Sequence, residues 1–456
     1  MTATDTVRDP RGIIEQSPMG LRQWIVIVLM IALNALDGFD VLSSAFAAPG
    51  LSKEWGVPRE ALGVVLSAEL VGMGFGSMLL GGLADKFGRK PLMLACLVDM
   101  AIGMWMAHNA HGVTDLTMWR FITGIGIGGM LAATNAVTAE VSNTAWRSLA
   151  MSLYVVGYPL GGVIGGYAAQ TWLLVDHDWR AVFLFGAVVT AALIPLVWLL
   201  VPETPAFFAA TRPEGAVGKI NRSLKAFALP LIGDLPPRVP GAPKPRVTDI
   251  LSNPKLRPVT LLLAFGYLFH TITFYFVLKW AVKIVADAGF TQPQAASTLT
   301  FANVGGVIGG LLFGLAMKRW HIKAPTIAML LLGMVAVTWF GMGHSSLWSW
   351  RLAAGLAMFC TNAAIVGFYA AFALGFPAYA RATGTGFVLG IGRAGAAGSP
   401  ILAGFLFKAL GNDHLALVAL IMALGSGVAL VLIALLPMRD GDELEADFVP
   451  AGQPLD

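Results

Sequence analysis

Charge is what this sequence has least of. Asp, Glu, Lys and Arg make up 12% of its 456 residues, against about a quarter in a soluble protein, which excludes a water-facing globule. Cysteine is nearly absent: only Cys96 and Cys360 occur, both in apolar stretches, so neither a disulfide framework nor a cysteine zinc site follows. The polar start, to Gly20, has no short apolar core followed by a small-residue cleavage site. No signal peptide is expected there, and the first apolar stretch is expected to stay as an anchor. No nucleophile sits with a base, no metal-ligand cluster or phosphate-cradling glycine loop occurs, and no sensory domain is evident, which argues against a membrane enzyme or receptor. No cofactor is expected, and His108 and His111, spaced as metal ligands without a third, are expected to cap an outer loop.

What is abundant is apolar length. Hydrophobic residues make up 57% and mean hydropathy is +0.73. A span needs about 20 apolar residues to cross the hydrocarbon, and twelve such stretches occur: 22–48, 60–82, 91–109, 114–139, 148–173, 180–201, 257–282, 294–316, 325–343, 347–375, 383–408 and 414–437. The expected fold class is therefore an all-α membrane protein with twelve transmembrane helices in two six-helix halves. The division is a tail over 1–21, a first half over 22–201, a central linker over 202–256, a second half over 257–437 and a tail over 438–456. Basic residues favour one side of this topology by roughly three to one, which by the positive-inside rule puts the linker and both tails in the cytoplasm. The partners expected are the lipid bilayer and a small solute, not nucleic acid, despite a net charge of +4 and a pI near 9.1. The 53 glycines and 25 prolines then signal close helix packing and broken helices rather than disorder.

A repeat runs through the two halves. Gly82-Leu83-Ala84-Asp85-Lys86 after span 2 is matched by Gly314-Leu315-Ala316-Met317-Lys318 after span 8, at a constant offset of 232 residues. Two six-span halves with matching loops are the architecture of a transporter built from parallel repeats.

The chemistry gathers where charge enters the spans. Asp37 and Asp40 lie three residues apart in the run Leu33 to Val41, on one helix face. An Asp at the centre of a membrane helix costs about 2.5 to 3.5 kcal/mol on an insertion scale, so the pair needs water, a partner or protons. At 1.5 Å rise per residue, Arg120 in span 4 reaches about the same depth as Asp37. An arginine that moves between an acid and something else would make a proton switch; a fixed ion pair is the rival reading. Arg393, near the middle of span 11, requires an anion, either a substrate carboxylate held by its planar fork or a protein acid such as Glu69 in span 2. Glu140 and Arg147, near the inner end of span 4, read as a latch between helix ends.

The loop Gly82-x-x-Asp85-Lys86-x-Gly88-Arg89-Lys90 resembles the signature of the major facilitator superfamily, with Gly88 expected to turn the chain and Asp85 to pair with basic residues. In the second copy Met317 replaces the acid, so that latch should be weaker. Within the superfamily, Asp37-Gly38-Phe39-Asp40 resembles the aromatic acid:proton symporter family. Further matches to that family are Arg120-x-x-x-Gly124-x-Gly126-x-Gly128-Gly129, the stretch Asn135 to Glu140, and Arg381-Ala382-Thr383-Gly384 through Arg393. Thr134 stands where that family commonly has Pro, and Pro202-Glu203-Thr204-Pro205-Ala206 departs from its Pro-Glu-Ser-Pro-Arg pattern.

The resemblance implies a major facilitator fold and uptake of an aromatic carboxylate such as benzoate or hydroxybenzoate with protons, by alternating access. It also implies a role in aromatic compound catabolism and a bacterial-type inner membrane. A monomer is expected. Asp37, Asp40 and Arg120 would carry the proton. Arg393, Phe39, Glu69, Tyr154, Tyr158, Asn303, Asn362 and Tyr275, with His270 and Tyr369 as further candidates, would line the substrate pocket, where aromatic rings can stack on the substrate. Gly82, Asp85, Gly88, Arg89, Lys90, Glu140, Arg147, His321 and Arg381 would gate it. The alternative is a proton-coupled drug or metabolite efflux antiporter of the same fold, since Gly157-Tyr158-Pro159-Leu160-Gly161-Gly162 resembles the antiporter motif of span 5.

Overall fold

The computed structural model describes residues 9–175, 177–237, 246–317, 319–411 and 414–437. The expected tail over 438–456 and Lys318 of the second loop lie outside them. Every regular element among the described residues is helical: α1 Pro10–Gln16, α2 Leu21–Trp55, α3 Arg59–Phe87, α4 Arg89–His108, α5 Val113–Val141, α6 Thr144–Ala168 (continued by a π-helical turn, Ala169–Leu173), α7 Arg180–Leu200, α8 Pro205–Thr211, α9 Ala216–Ala226, α10 Val247–Ser252, α11 Leu256–Asp287, α12 Gln292–Ala316, α13 Lys323–Gly341, α14 Leu347–Gly375, α15 Ala378–Leu410 and α16 Leu415–Leu435. Twelve of these are long and apolar enough to cross a membrane, α2–α7 and α11–α16, so the twelve-span, all-α expectation holds. The chain divides into two compact units, Met1–Ala47 with Ala68–Pro240, and Ala48–Ser67 with Gly241–Asp456.

Glycine sets the spacing in the first unit. A Cβ added at Gly38 of α2 would collide with the Tyr158 carbonyl of α6, and one at Gly161 of α6 would collide with the Ala35 carbonyl of α2. Between α3 and α5, Gly72, Gly76, Gly124 and Gly128 each sit against a carbonyl of the facing helix. Backbones this close exchange side-chain bulk for direct dispersion contact, which is what drives helix association where lipid is as apolar as the protein. The Gly and Pro stretch of α6 is explained by this packing.

The linker is more structured than its composition suggests. Ile13 and Ile14 of α1 join Ile220 and Leu224 of α9 and Ile232 in a small hydrophobic cluster, with Phe208 of α8 against it. Asp9 accepts from the Arg11 N–H at the start of α1, and Arg22 donates to the Ala226 carbonyl at 3.1 Å. A tail and a linker that each look unpartnered in sequence therefore share a core.

In the second unit, the hairpin between α2 and α3 is tied to α11 and α15. Arg59 pairs with Asp287 at 2.6 Å, which Lys283 also engages, and Lys408 pairs with Glu60 at 2.8 Å. The Arg59 guanidinium lies over Phe407 at 4.4 Å. Lys279, within the span expected over 257–282, is a fully buried residue of α11. Its apolar stem and the long unbroken helix carry it inside.

If direct backbone contact holds α2 and α6 together, a single methyl at Gly161 must force them apart, whereas Gly74, with open space around its Cβ direction, should accept one. Gly161→Ala is expected to destabilise the purified protein by about 1 to 3 kcal/mol and lower its melting temperature, with Gly74→Ala close to the parent. Equal melting temperatures would mean that the spacing is not set there.

Candidate functional site

The close α2–α6 packing leaves Asp37 and Asp40 without room for solvent. Both are fully buried, and none of their four carboxylate oxygens accepts a hydrogen bond. Phe39, between them, is also buried. Its ring fills the space left by Gly165 and Gly186 and meets Phe185 edge-on at 5.3 Å, so this expected pocket residue is a packing element of the first unit. Asn34, one turn before Asp37, donates to the Tyr154 carbonyl at 2.6 Å. Tyr154 itself is buried with its hydroxyl 2.9 Å from that of Thr134, the residue in the place of the commoner Pro. The Tyr158 carbonyl faces Gly38.

Arg120 of α5 reaches the same level, as the depth estimate requires, but by a different contact. Its guanidinium donates to the Asp40 backbone carbonyl at 2.7 Å and forms its ion pair with Glu69 of α3. Arg120 and Glu69 are both 0% exposed. The guanidinium also lies 5.4 Å from the Phe183 ring and 2.8 Å from the Met104 sulfur, while Ser44 of α2 donates to Glu69 at 3.3 Å. Glu69, expected in the substrate pocket and as a rival anion for Arg393, is thus engaged by Arg120. The close α3–α5 contact, with Gly124 against the Glu69 carbonyl, puts the acid there. A buried pair of this kind offsets two desolvation costs against one attraction.

Sequence reasoning missed the Glu69–Arg120 pairing, although both charges lie at similar depth in adjacent spans. It also passed over Asp99 of α4, where a buried oxygen without a partner lies beside Gly126. Asp99 is a lone acid with no motif around it.

The stretch from Gly82 to Lys90 folds differently from a loop. Helix α3 continues through Gly82 and Asp85 to Phe87, and the turn is confined to Gly88, whose φ of 109° only glycine adopts without strain. Arg89 pairs with Asp85 at 2.9 Å and with Glu140 at 3.0 Å, and the other Glu140 oxygen accepts from the Thr204 hydroxyl at 2.5 Å. Glu203 accepts from the backbone N–H groups of Arg89 and Lys90, each at 3.1 Å, capping the positive end of α4 from a distance. Burial pushes the Glu203 carboxyl above its usual range, and the N–H groups of Thr204, Lys90 and Arg89 oppose that rise. Lys90 donates to the Trp198 carbonyl at 2.6 Å. Arg147 stands apart from Glu140 and pairs with Glu15 of the tail at 2.9 Å.

In the second unit Met317 is partly buried against the core around Leu330 and Phe368. His321 is exposed, and Arg381 donates to the Phe376 carbonyl at 3.4 Å. Asn303 bonds within its own helix, to the Leu299 carbonyl at 2.8 Å, and Asn362 bonds to the Gly306 carbonyl of α12 at 2.7 Å. His270 is fully buried between Ser426, at 3.0 Å, and the Thr361 carbonyl, at 2.9 Å, as a packing residue. Tyr275 rests on Phe274 at 5.3 Å. Arg393 is half-buried on α15, next to Gly392, against which the Tyr267 ring of α11 is packed.

The sequence pattern of the Major Facilitator Superfamily matches residues 28–373. The chain is 31% identical over 409 residues to a protein named gallate transporter from Pseudomonas putida, covering 88% of this chain and 89% of that one. It is 31% identical over 395 residues to the 4-hydroxybenzoate transporter PcaK of the same organism, covering 85% and 87%. Among solved structures, the xylose transporter XylE from E. coli in its inward open conformation superposes with a TM-score of 0.71 at 15% identity, covering 94% of this chain and all of that one.

The ion pair carries its own test. Breaking one partner of a buried pair leaves an uncompensated charge and costs about 3 to 5 kcal/mol, while removing both together costs far less. Glu69→Leu and Arg120→Leu are each expected to lower the melting temperature sharply, and the double variant to recover much of the loss. Additive losses would show that the two charges do not depend on each other.

Proposed function

Because the chain belongs to the Major Facilitator Superfamily, we propose that it imports an aromatic carboxylate across a bacterial cytoplasmic membrane by proton symport, with alternating access of its two six-helix halves. The observation that carries the coupling is the Asp37–Asp40 pair: two dehydrated carboxylates, one helical turn apart, with no hydrogen-bond donor and a neighbouring arginine already matched by Glu69. A bare carboxylate in such a place is disfavoured by several kcal/mol, and its neutral form is not. The pair therefore holds protons while it is packed away and releases them when movement of the helices admits water.

The substrate reading draws on the relatives, named for gallate and 4-hydroxybenzoate and similar over most of their length. It also draws on Arg393, whose planar fork matches a carboxylate bidentately. The network of Asp85, Arg89, Glu140 and Thr204 serves as the latch that closes one access route and must break to open it. Both tails and the linker lie in the cytoplasm on this reading, and the carrier works as a monomer.

Cells making the protein should accumulate labelled benzoates and hydroxybenzoates, and a protonophore should abolish the accumulation. Accumulation that persists in full with the proton gradient collapsed would rule out symport. Lower cell content in the absence of the protonophore than in its presence would indicate efflux.

A further inference from the structure

The second unit holds a polar feature inside an aromatic cluster that the coupling does not use. Tyr267 of α11 is 7% exposed and packs against Phe368, Tyr369 and Phe372 of α14, with ring centroids 5.5, 6.1 and 5.4 Å away. Its ring occupies the place where any side chain at position 392 would sit, so only Gly392 lets α15 approach. The hydroxyl of Thr271, one turn on from Tyr267, lies within hydrogen-bond distance of both the Leu268 carbonyl, at 2.8 Å, and the Gly392 carbonyl, at 3.0 Å. The residue after that glycine is Arg393.

The Tyr267 hydroxyl is 3.3 Å from that of Tyr369, whose side chain is accessible, at 46% exposure. One contact between two phenols uses one of their two protons. Were Tyr369 the donor, the Tyr267 proton would be the one left over, inside an aromatic cluster, and a buried donor without an acceptor is costly. The satisfied arrangement has Tyr267 donating to Tyr369. The Tyr369 proton is then directed to the accessible side, on the same unit as the Arg393 fork.

We propose that Tyr369, positioned by Tyr267, reads a ring hydroxyl of the substrate and so sets a preference for hydroxylated benzoates over benzoate itself. The inference rests on the aromatic-acid reading above. Arg393 takes the carboxylate common to all such acids, and the phenol pair supplies the contact that only the hydroxylated ones complete. A site built to bond a hydroxyl discriminates against the analogue lacking it because its own polar group is left unpaired. One such bond is worth between about threefold and tenfold in affinity.

The test is binding of benzoate, 4-hydroxybenzoate and 3,4,5-trihydroxybenzoate to the purified full chain by calorimetry. The parent is expected to bind the hydroxylated acids more tightly than benzoate. Tyr369→Phe should lose most of that preference, with the hydroxylated acids bound more weakly and benzoate bound at least as tightly as by the parent, since no hydroxyl is then left unpaired; retained benzoate binding also shows that the variant is folded. Tyr267→Phe, which removes the positioning bond, should lose part of it. A preference retained in Tyr369→Phe, or an equal loss for benzoate and the hydroxylated acids, overturns the assignment and leaves aromatic-acid transport standing. A parent that binds none of the three acids overturns both.

Discussion

The cost of placing carboxylates where neither water nor a donor reaches them organises the first half of the molecule. Asp37 and Asp40 are enclosed because α2 and α6 meet backbone to backbone at Gly38 and Gly161, and because Phe39 plugs the remaining space. Arg120 forms its ion pair with Glu69 and donates to the Asp40 backbone carbonyl, not to an Asp40 carboxylate oxygen. Had Arg120 paired with the aspartates, the site would be a static ion pair. With Glu69 as its partner, the proposed reading has the aspartates neutralised by protons, with proton occupancy linked to whether the helices around them are closed.

The two halves carry different chemistry on one repeated plan. The first concentrates acids: Asp37, Asp40, Glu69 and the cluster of Asp85, Glu140 and Glu203 around Arg89. The second has Met317 where the first has Asp85, and it gathers the rings of Tyr267, Phe368, Tyr369 and Phe372. On the proposed reading the proton is carried by residues of one unit and the substrate ring is bound by residues of the other, and transport links the two through conformation.

Much of this was legible before any coordinates, for reasons that differ by element. The twelve spans follow from hydrophobic length, a signal independent of neighbours, and the Asp37–Asp40 pair stands out because charge within a span is expensive. Depth alone brought Arg120 to the level of the aspartates. It did not distinguish Glu69 from Asp40 as the partner, since that depends on which helices touch, and the glycine contacts of α3 with α5 are tertiary. The same limit hid the core shared by α1 and α9, each too short to show its partner. It also hid the role of Tyr267, whose significance comes from a glycine more than a hundred residues away. Helix α3 running through the expected loop to Phe87 is local, and was hidden by ending the second span where hydropathy falls, at residue 82, while the turn lies at Gly88, where it was expected.

The central claim is that one or both of Asp37 and Asp40 carry the coupling proton. It is tested most directly in proteoliposomes, by comparing accumulation of a hydroxybenzoate driven by an imposed pH gradient with counterflow of the same substrate, for Asp37→Asn and Asp40→Asn. Asparagine mimics the permanently protonated acid, so at the titrating position gradient-driven accumulation should vanish while counterflow persists. If both variants concentrate the substrate as the parent does, neither aspartate carries the proton and the account is wrong.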